Sequence, residues 1–269
     1  MKITIDPKDA KDFASATLDP NELHDEKIMR NKYCVPAIVS GFQLFMTSLA
    51  QINVEQLIAK NHGKAFFPKL VPTGNDIYFY TATTQNEERT RLLCSLNGID
   101  VLSSDQDYAN ASRIVERAQS FFEGETPRTL EIKPEQLKRF QEITGLPTET
   151  IPALYSVATS SASIAKAIKN PKTPAWKNLA EGLEQEDEKR IRLPAYRSTE
   201  FYLPNGMMSY DSTVKLTQTS AIRQDNKTNY TIDTICYNQK TPISFVRSRL
   251  SQIPKRLIIR GIAQTNSKP

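Results

Sequence analysis

The pattern of apolar and polar positions in the first 146 residues predicts strands that alternate with helices. Residues 77–82 (IYFYTA) alternate as a strand does, and 99–103 and 129–132 are similar short apolar runs. Helices are predicted between them over 84–97 and 105–123, because each segment starts at a capping residue and stops at a glycine. This βαβαβ order is typical of a sheet covered by helices.

The pattern changes after Leu146. Proline recurs at 147, 152, 171, 174 and 194, and the stretch contains helical patterns over 156–168 and 176–190 without a convincing strand. This predicts a helical connector or subdomain over 147–194.

After Pro194 the apolar period switches to two, which indicates strands joined by short turns. The fold prediction is therefore mixed α/β, or α+β, in three parts: an α/β domain over 1–146, the helical connector, and an antiparallel β-rich part over 195–269 packed on the rest. The elements predicted in the last part are strands over 196–203, 208–222 and 230–237, a helix over 242–252 and a strand over 256–262.

Hydropathy and cysteine usage bear on the compartment. The most apolar run, 34–49, is interrupted by polar residues and predicts a buried helix, whereas a membrane span needs about 18 apolar residues. No signal-peptide pattern stands at the N-terminus, and the three cysteines lie far apart. The expectation is a soluble protein of the cytoplasm or another reducing compartment, with delivery into another cell as the alternative.

The net charge of +5 is concentrated near the C-terminus. Asp233 is the last acidic residue, and seven basic residues follow it. Such a segment fits an acidic protein partner, nucleic acid, or an ordinary solvated face. A second surface of opposite sign is expected around Trp176, Glu184 and Glu186. The basic residues predicted to bind a partner are Arg247, Arg249, Lys255, Arg256 and Arg260.

The motifs of dinucleotide-binding, P-loop, hydrolase and zinc proteins are all missing, so no cofactor and no metal is predicted. By elimination, the leading hypothesis is a non-enzymatic interaction protein, an adaptor or accessory subunit of a larger assembly. The abundance of Lys, Asn, Gln and Thr with few glycines adds a bacterial secretion-system component or effector as one form of this hypothesis.

An enzymatic alternative rests on His62-Gly63 followed by Ile77-Tyr78-Phe79. That order resembles the histidine-glycine and isoleucine-tyrosine-phenylalanine elements of ADP-ribosyltransferases related to poly(ADP-ribose) polymerase. The resemblance implies an NAD-using transferase in which His62 holds the NAD ribose, with Tyr78 nearby and a later glutamate, Glu184 or Glu200. The simpler interpretation places His62 at the end of a helix over 53–61. A nucleic-acid-binding protein that uses the basic segment is the third hypothesis.

Overall fold

A computed structural model describes residues 1–83, 90–96, 99–107, 109–123, 125–181, 192–207 and 215–266 of the chain. Ten strands among these residues form one sheet. They are β1 (Lys2–Thr4), β2 (His62–Phe66), β3 (Asp76–Thr83), β4 (Thr90–Leu96), β5 (Ile99–Asp107), β6 (Arg128–Glu131), β7 (Arg192–Tyr202), β8 (Lys215–Gln224), β9 (Asn229–Asn238) and β10 (Thr241–Pro254).

Helices occupy much of the remaining described chain, and several begin and end as their local sequence dictates. Asp6 caps the first helix by accepting a hydrogen bond from the Asp9 amide, and Gly145 ends the sixth with a φ of +71°. The helices are α1 (Pro7–Ala16), α2 (Glu26–Tyr33), α3 (Gly41–Leu49), α4 (Val54–Ile58), α5 (Ala111–Ala118), α6 (Pro134–Thr144), α7 (Ile151–Ala158), α8 (Ser160–Lys169), α9 (Pro174–Glu181) and α10 (Lys255–Asn266).

The strand order is β1-β3-β4-β5-β2-β7-β10-β9-β8-β6, and each recorded pair is antiparallel. The sheet therefore consists of two five-stranded halves, and the pairing of β2 with β7 joins them. The shared register sets His62 opposite Tyr202 and Gly63 opposite Phe201.

One face of this sheet packs against the helices that are most deeply buried. α3 lies against β4 and β5, whereas α7 and α8 lie against β8, β9 and β10 of the other half. α3 and α7 also contact each other, so one continuous apolar core runs beneath both halves of the sheet. We call this the inner face.

The outer face carries α5. Val115 and Ala118 of this helix pack on Ile235 and Phe245, whereas Val246, the next residue of β10, belongs to the inner core. Successive side chains of a strand point to opposite faces, so α5 and α3 lie on opposite sides of the sheet.

The predicted α+β class is confirmed, with helices in the middle of the chain and antiparallel strands after Pro194. The predicted βαβαβ order is wrong in its helices. Residues 90–96 form β4 where a helix over 84–97 was expected, residues 84–89 lie outside the described part, and only 111–118 of the second predicted helix is α-helical. Pairing with β3 and β5 makes residues 90–96 a strand, because a short apolar run such as Leu92–Cys94 is compatible with both a helix and a strand.

The predicted helix over 242–252 and the predicted strand over 256–262 are both wrong, because the strand comes first and the helix follows it. Residues 241–254 form β10 between β7 and β9, and 255–266 form α10. The burial pattern explains the exchange, since Ser248 and Leu250 are buried on either side of exposed Arg249, whereas Ile258 and Ile262 are buried four residues apart as on a helix. The division of the chain into parts at 146 and 194 stays a prediction.

Gly63 lies where the two halves of the sheet meet and tests how tightly they pack. A Cβ on this residue would lie 2.6 Å from the Phe201 ring and would also collide with the Gln106 side chain. We expect Gly63→Ala to lower the free energy of unfolding by about 1–3 kcal/mol, as overpacked sites do. Urea denaturation followed by circular dichroism measures the change.

Gly261 of α10 is the matched control, because a Cβ there meets no atom within 4 Å. We expect Gly261→Ala to be neutral or to stabilise the protein by up to about 1 kcal/mol. Equal losses in both variants would contradict the close approach at Gly63.

Candidate active site

His62 lies on the outer face, within a cluster of polar side chains from three adjacent strands. Its Nδ1 atom is hydrogen-bonded to Asp107 of β5, and its Nε2 atom lies 3.1 Å from Glu200 Oε1 of β7. The Tyr202 hydroxyl donates to the same Glu200 oxygen at 2.7 Å, and the Tyr202 ring stacks on His62 at 4.5 Å between ring centroids. We call Asp107, His62, Glu200 and Tyr202 the outer-face cluster.

The charges in the outer-face cluster stabilise one another. Burial alone would lower the pKa of His62, but the hydrogen bonds to Glu200 and Asp107 outweigh burial and raise that pKa above the usual histidine value. The hydrogen bond from His62, helped by the one from Tyr202, lowers the pKa of Glu200 to about 2. A protonated imidazole held between carboxylates is an ion-pair arrangement, and it leaves no imidazole lone pair to act as a base.

Tyr78, the other weak catalytic candidate, lies on β3. Three inter-strand spacings separate β3 from β2, which corresponds to roughly 14 Å. The structure therefore does not bring Tyr78 and His62 together.

The residues predicted to bind a partner fall into different environments. Arg247 donates to both carboxylate oxygens of Asp233 at 2.7 and 2.9 Å, so it belongs to an internal ion pair. Trp176 is only 2% exposed and packs in a core cluster. Arg249 is exposed on the outer face, and Arg256 and Arg260 are exposed on α10, where Lys255 lies at the first position. Glu184 and Glu186 lie outside the described residues.

A cavity of about 70 Å³ lies at the start of α3 and is a second place where polar side chains converge. It shares lining residues with a groove of about 420 Å³ that extends between the Asn21–Tyr33 region and α8. The polar and backbone groups that line the smaller cavity come from Asp19, Asn21, His24, Ser40, Gly41, Lys69 and Tyr196.

Local backbone structure brings Asp19 and His24 to this cavity. α1 ends in a left-handed residue, Leu18 (φ +59°), and the Asp19 amide then donates to the Ala14 carbonyl at 2.8 Å. A single 3₁₀ turn follows over Glu22–His24, capped by the Asn21 side chain. The turn carries the chain back, so that a carboxylate and an imidazole five residues apart line the same cavity.

The hydrogen bond of His24 fixes its tautomer. Nδ1 lies 2.7 Å from the Ile38 carbonyl oxygen, and a carbonyl can only accept, so Nδ1 carries the proton. In the neutral ring Nε2 is then left with its lone pair. His24 is 7% exposed, so this ring is held inside the protein.

The first turn of α3 forms the opposite wall. The leading amides of a helix have no acceptor within the helix, and they carry the positive end of its dipole. Gly41, the first residue of α3, lets the Phe67 ring pack closely against this end, because a Cβ there would lie 3.2 Å from that ring. Tyr196 lines both cavities, and burial, followed by the charge of Asp19, raises the pKa of its hydroxyl.

No protein-family model and no curated protein matches the chain. Solved structures do match it. A MaoC-like dehydratase superposes with a TM-score of 0.57 at 6% identity, covering 94% of this chain and 95% of that one. A MaoC-like dehydratase from Phytophthora capsici gives 0.53 at 9% identity, with coverages of 93% and 94%. The peroxisomal multifunctional enzyme type 2 from Drosophila melanogaster gives 0.52 at 9% identity over 93% of this chain and 48% of its own.

The chain has a hot-dog fold. In this fold a helix lies along the inner face of an antiparallel sheet, and here α3 and the α7–α8 pair each take that place under one half.

These findings overturn the leading functional hypothesis. The prediction of an adaptor, accessory subunit or secretion-system component is wrong, because the structures reported above, which match nearly the whole chain, are two MaoC-like dehydratases and a multifunctional enzyme. The ADP-ribosyltransferase and nucleic-acid alternatives find no support in these structures either. Among the described residues, no helix is both long and apolar enough to cross a membrane.

Sequence reasoning considered His24 but selected neither it nor Asp19 as a site residue. Asp19-Pro20 has the form of a helix start, and His24 stands among acidic residues that favour a solvated helix face. One signal was available. His24 is one of only two histidines, and a carboxylate precedes it by a short stretch that also contains Asn21.

The outer-face cluster predicts a definite pH dependence. Glu200 stabilises the fold above the unfolded glutamate pKa and ceases to do so as pH falls toward 2. His62 stabilises the fold below the unfolded histidine pKa, and this contribution disappears as pH rises through its raised folded value. Both contributions are present between about pH 4.5 and 6.5.

We expect Glu200→Gln to lower the pKa of His62 and, at pH 5.5, to reduce the free energy of unfolding by about 1–3 kcal/mol. Imidazole NMR titration measures the pKa directly, and with only two histidines in the chain the signals are simple to assign. An unchanged His62 titration would show that Glu200 does not hold the ring.

Proposed function

We propose that this protein adds water to, or removes it from, acyl thioesters: it interconverts a 2-enoyl thioester and the 3-hydroxyacyl thioester. The observation that carries the proposal is the convergence of Asp19 and His24 on the cavity at the start of α3. The solved structures named as MaoC-like dehydratases share the fold and support this reaction class.

The reaction needs a base, a returned proton and a place for negative charge. In the hydration direction, water sits between the Asp19 carboxylate and His24 Nε2. His24 takes one proton from the water, and the oxygen bonds to C3 of the enoyl group. The electron pair of the double bond moves onto the thioester oxygen, and the first amides of α3 stabilise this enolate. His24 then returns its proton to C2, which restores the thioester.

Asp19 has a positioning and electrostatic part in this scheme. Its carboxylate accepts a hydrogen bond from the Asn21 amide at 3.1 Å, which orients it. It also accepts a hydrogen bond from the second O–H of the water, and that proton stays on the oxygen as the hydroxyl of the product. It also stabilises the imidazolium while His24 holds the proton. Dehydration runs through the same steps in reverse.

The larger groove supplies space for the rest of the substrate. Ile164, Ala165, Ile168 and Leu250 line it with apolar side chains, so an aliphatic chain fits its chemistry. Lys32 and Lys169 are among the charged residues along it. The small cavity therefore holds the polar groups of the proposed reaction, and the longer groove holds the aliphatic part of the substrate.

The test is hydration of crotonyl-CoA, followed by loss of the absorbance of the conjugated enoyl thioester. We expect His24→Gln and Asp19→Asn each to lower kcat by about 10²- to 10⁴-fold, as removal of a general acid–base group does. His62→Gln is the matched control, because it removes the other histidine, which lies on the outer face, and we expect it to retain activity.

Assay of free thiol separates this reaction from thioester hydrolysis. Thiol release without formation of 3-hydroxybutyryl-CoA would contradict the proposed reaction. Equal losses of activity in the His62 and His24 variants would contradict the assigned site.

A further inference from the structure

α10 has one buried face and one basic face. Ile258 and Ile262 pack with Met29 and Ile38 in a small core cluster, which fixes the helix against α2 and the chain that follows it. On the other side Arg256 and Arg260 are exposed one helical turn apart. Beside them Leu257 projects into solvent and is 51% exposed. We call Arg256, Leu257 and Arg260 the basic helix face.

The buried side of α10 contributes directly to the candidate active site. Ile258 lines the smaller cavity, and Lys255 Nζ lies 4.3 Å from the centroid of the Tyr33 ring, which lines the groove. An α-helix with its side chains is about 10 Å across. A molecule bound on the basic helix face is therefore separated from the reaction site by little more than the thickness of this helix.

Three lysines and two acidic residues, Asp19 and Glu22, line these openings. Lys32 and Lys169 line the groove, and Lys69 lines the cavity. Two acidic residues of this region are paired locally, since Glu22 pairs with Lys32 at 2.7 Å and Glu26 with Arg30 at 2.5 Å. From β10 to the end of α10 the sequence contains no acidic residue.

We propose that the basic helix face docks an acidic carrier protein, which presents the acyl thioester on a flexible phosphopantetheine arm. The inference rests on the proposed function and names the form in which the substrate arrives. The acidic surface of the carrier pairs with Arg256 and Arg260, and the arm passes alongside α10 into the groove, where its phosphate meets Lys169.

Leu257 favours a protein over a free nucleotide as the occupant. An apolar side chain beside two arginines is complementary to the surface of another helix that carries a row of carboxylates next to an apolar residue. A nucleotide binds through its phosphates and gains little from an apolar contact with Leu257. The arginines, one turn apart on a rigid element, match the spacing of acidic residues along a facing helix.

The test compares three crotonyl thioesters that share the reacting group: crotonyl-pantetheine, crotonyl-CoA and a crotonyl-loaded acidic acyl carrier protein. We expect the carrier thioester to have a kcat/KM about tenfold or more above that of crotonyl-pantetheine, and this advantage should fall as salt rises. The double charge reversal Arg256→Glu/Arg260→Glu should remove the advantage and leave crotonyl-pantetheine turnover unchanged.

Arg113→Glu/Arg117→Glu is the matched control, because it reverses two exposed arginines of the same spacing on α5, across the sheet from α3. We expect this variant to keep the preference for the carrier. Crotonyl-CoA distinguishes the two sources of phosphate. If the reversal on α10 reduces kcat/KM for crotonyl-CoA and for the carrier equally, the face binds a nucleotide and the proposal is overturned.

Failure of the docking proposal is distinguishable from failure of the proposed function. If crotonyl-pantetheine is hydrated but the carrier gives no advantage, the reaction stands and the docking surface does not. If no thioester is hydrated, the reaction is wrong. The dissociation constant of the loaded carrier, measured by fluorescence anisotropy, then decides the docking alone: weaker binding after reversal of Arg256 and Arg260 supports it, and unchanged binding overturns it.

Discussion

The pairing of β2 with β7 is the constraint on which the rest of the structure depends. Five residues of β2 hydrogen-bond to β5 on one side and β7 on the other, and they join two half-sheets into one surface. Because side chains alternate along a strand, this short segment also separates the two faces. Gly63 and Ala65 face the core, where Gly63 leaves room for Phe201, whereas His62 and Lys64 face outward. A shift of one residue in this register would bury a histidine and a lysine against α3.

The two histidines illustrate how position decides chemistry. His62 has an acceptor at both ring nitrogens, so its protonated form is stabilised and the ring links three strands. Among the described residues, His24 is hydrogen-bonded to one carbonyl, at Nδ1, so its neutral form keeps the lone pair on Nε2. A general base accepts a proton through that lone pair, whereas in an ion pair the lone pair already carries a proton. Composition singles out both residues equally, and only the acceptors that the fold supplies tell them apart.

Sequence reasoning predicted the α+β class, the buried helix that became α3, and the antiparallel strands after Pro194, because these rest on strong local signals. It failed for β4 and β10, whose apolar residues fit a helix and a strand about equally well until their neighbours in the sheet are known. The candidate site was beyond local reasoning. Its wall is α3, its carboxylate and imidazole come from the turn after α1, and Tyr196 arrives from β7, far along the chain. No pattern within one segment encodes such a convergence.

The basic residues after Asp233 lie close together in the sequence but not in one surface patch of the structure. Arg247 and Arg256 lie nine positions apart, yet Arg247 on β10 is held by Asp233 of the neighbouring strand, and Arg256 on α10 faces solvent. The change from strand to helix at Lys255 separates the two roles, because it turns the chain from the sheet toward the mouth of the cavity. Charges that remain exposed next to the mouth of a cavity act on molecules that approach it, and attraction there raises the rate of association more than the strength of the final complex. Under the docking proposal, α10 selects among carriers of the same acyl group, outside the cavity in which the proposed reaction takes place.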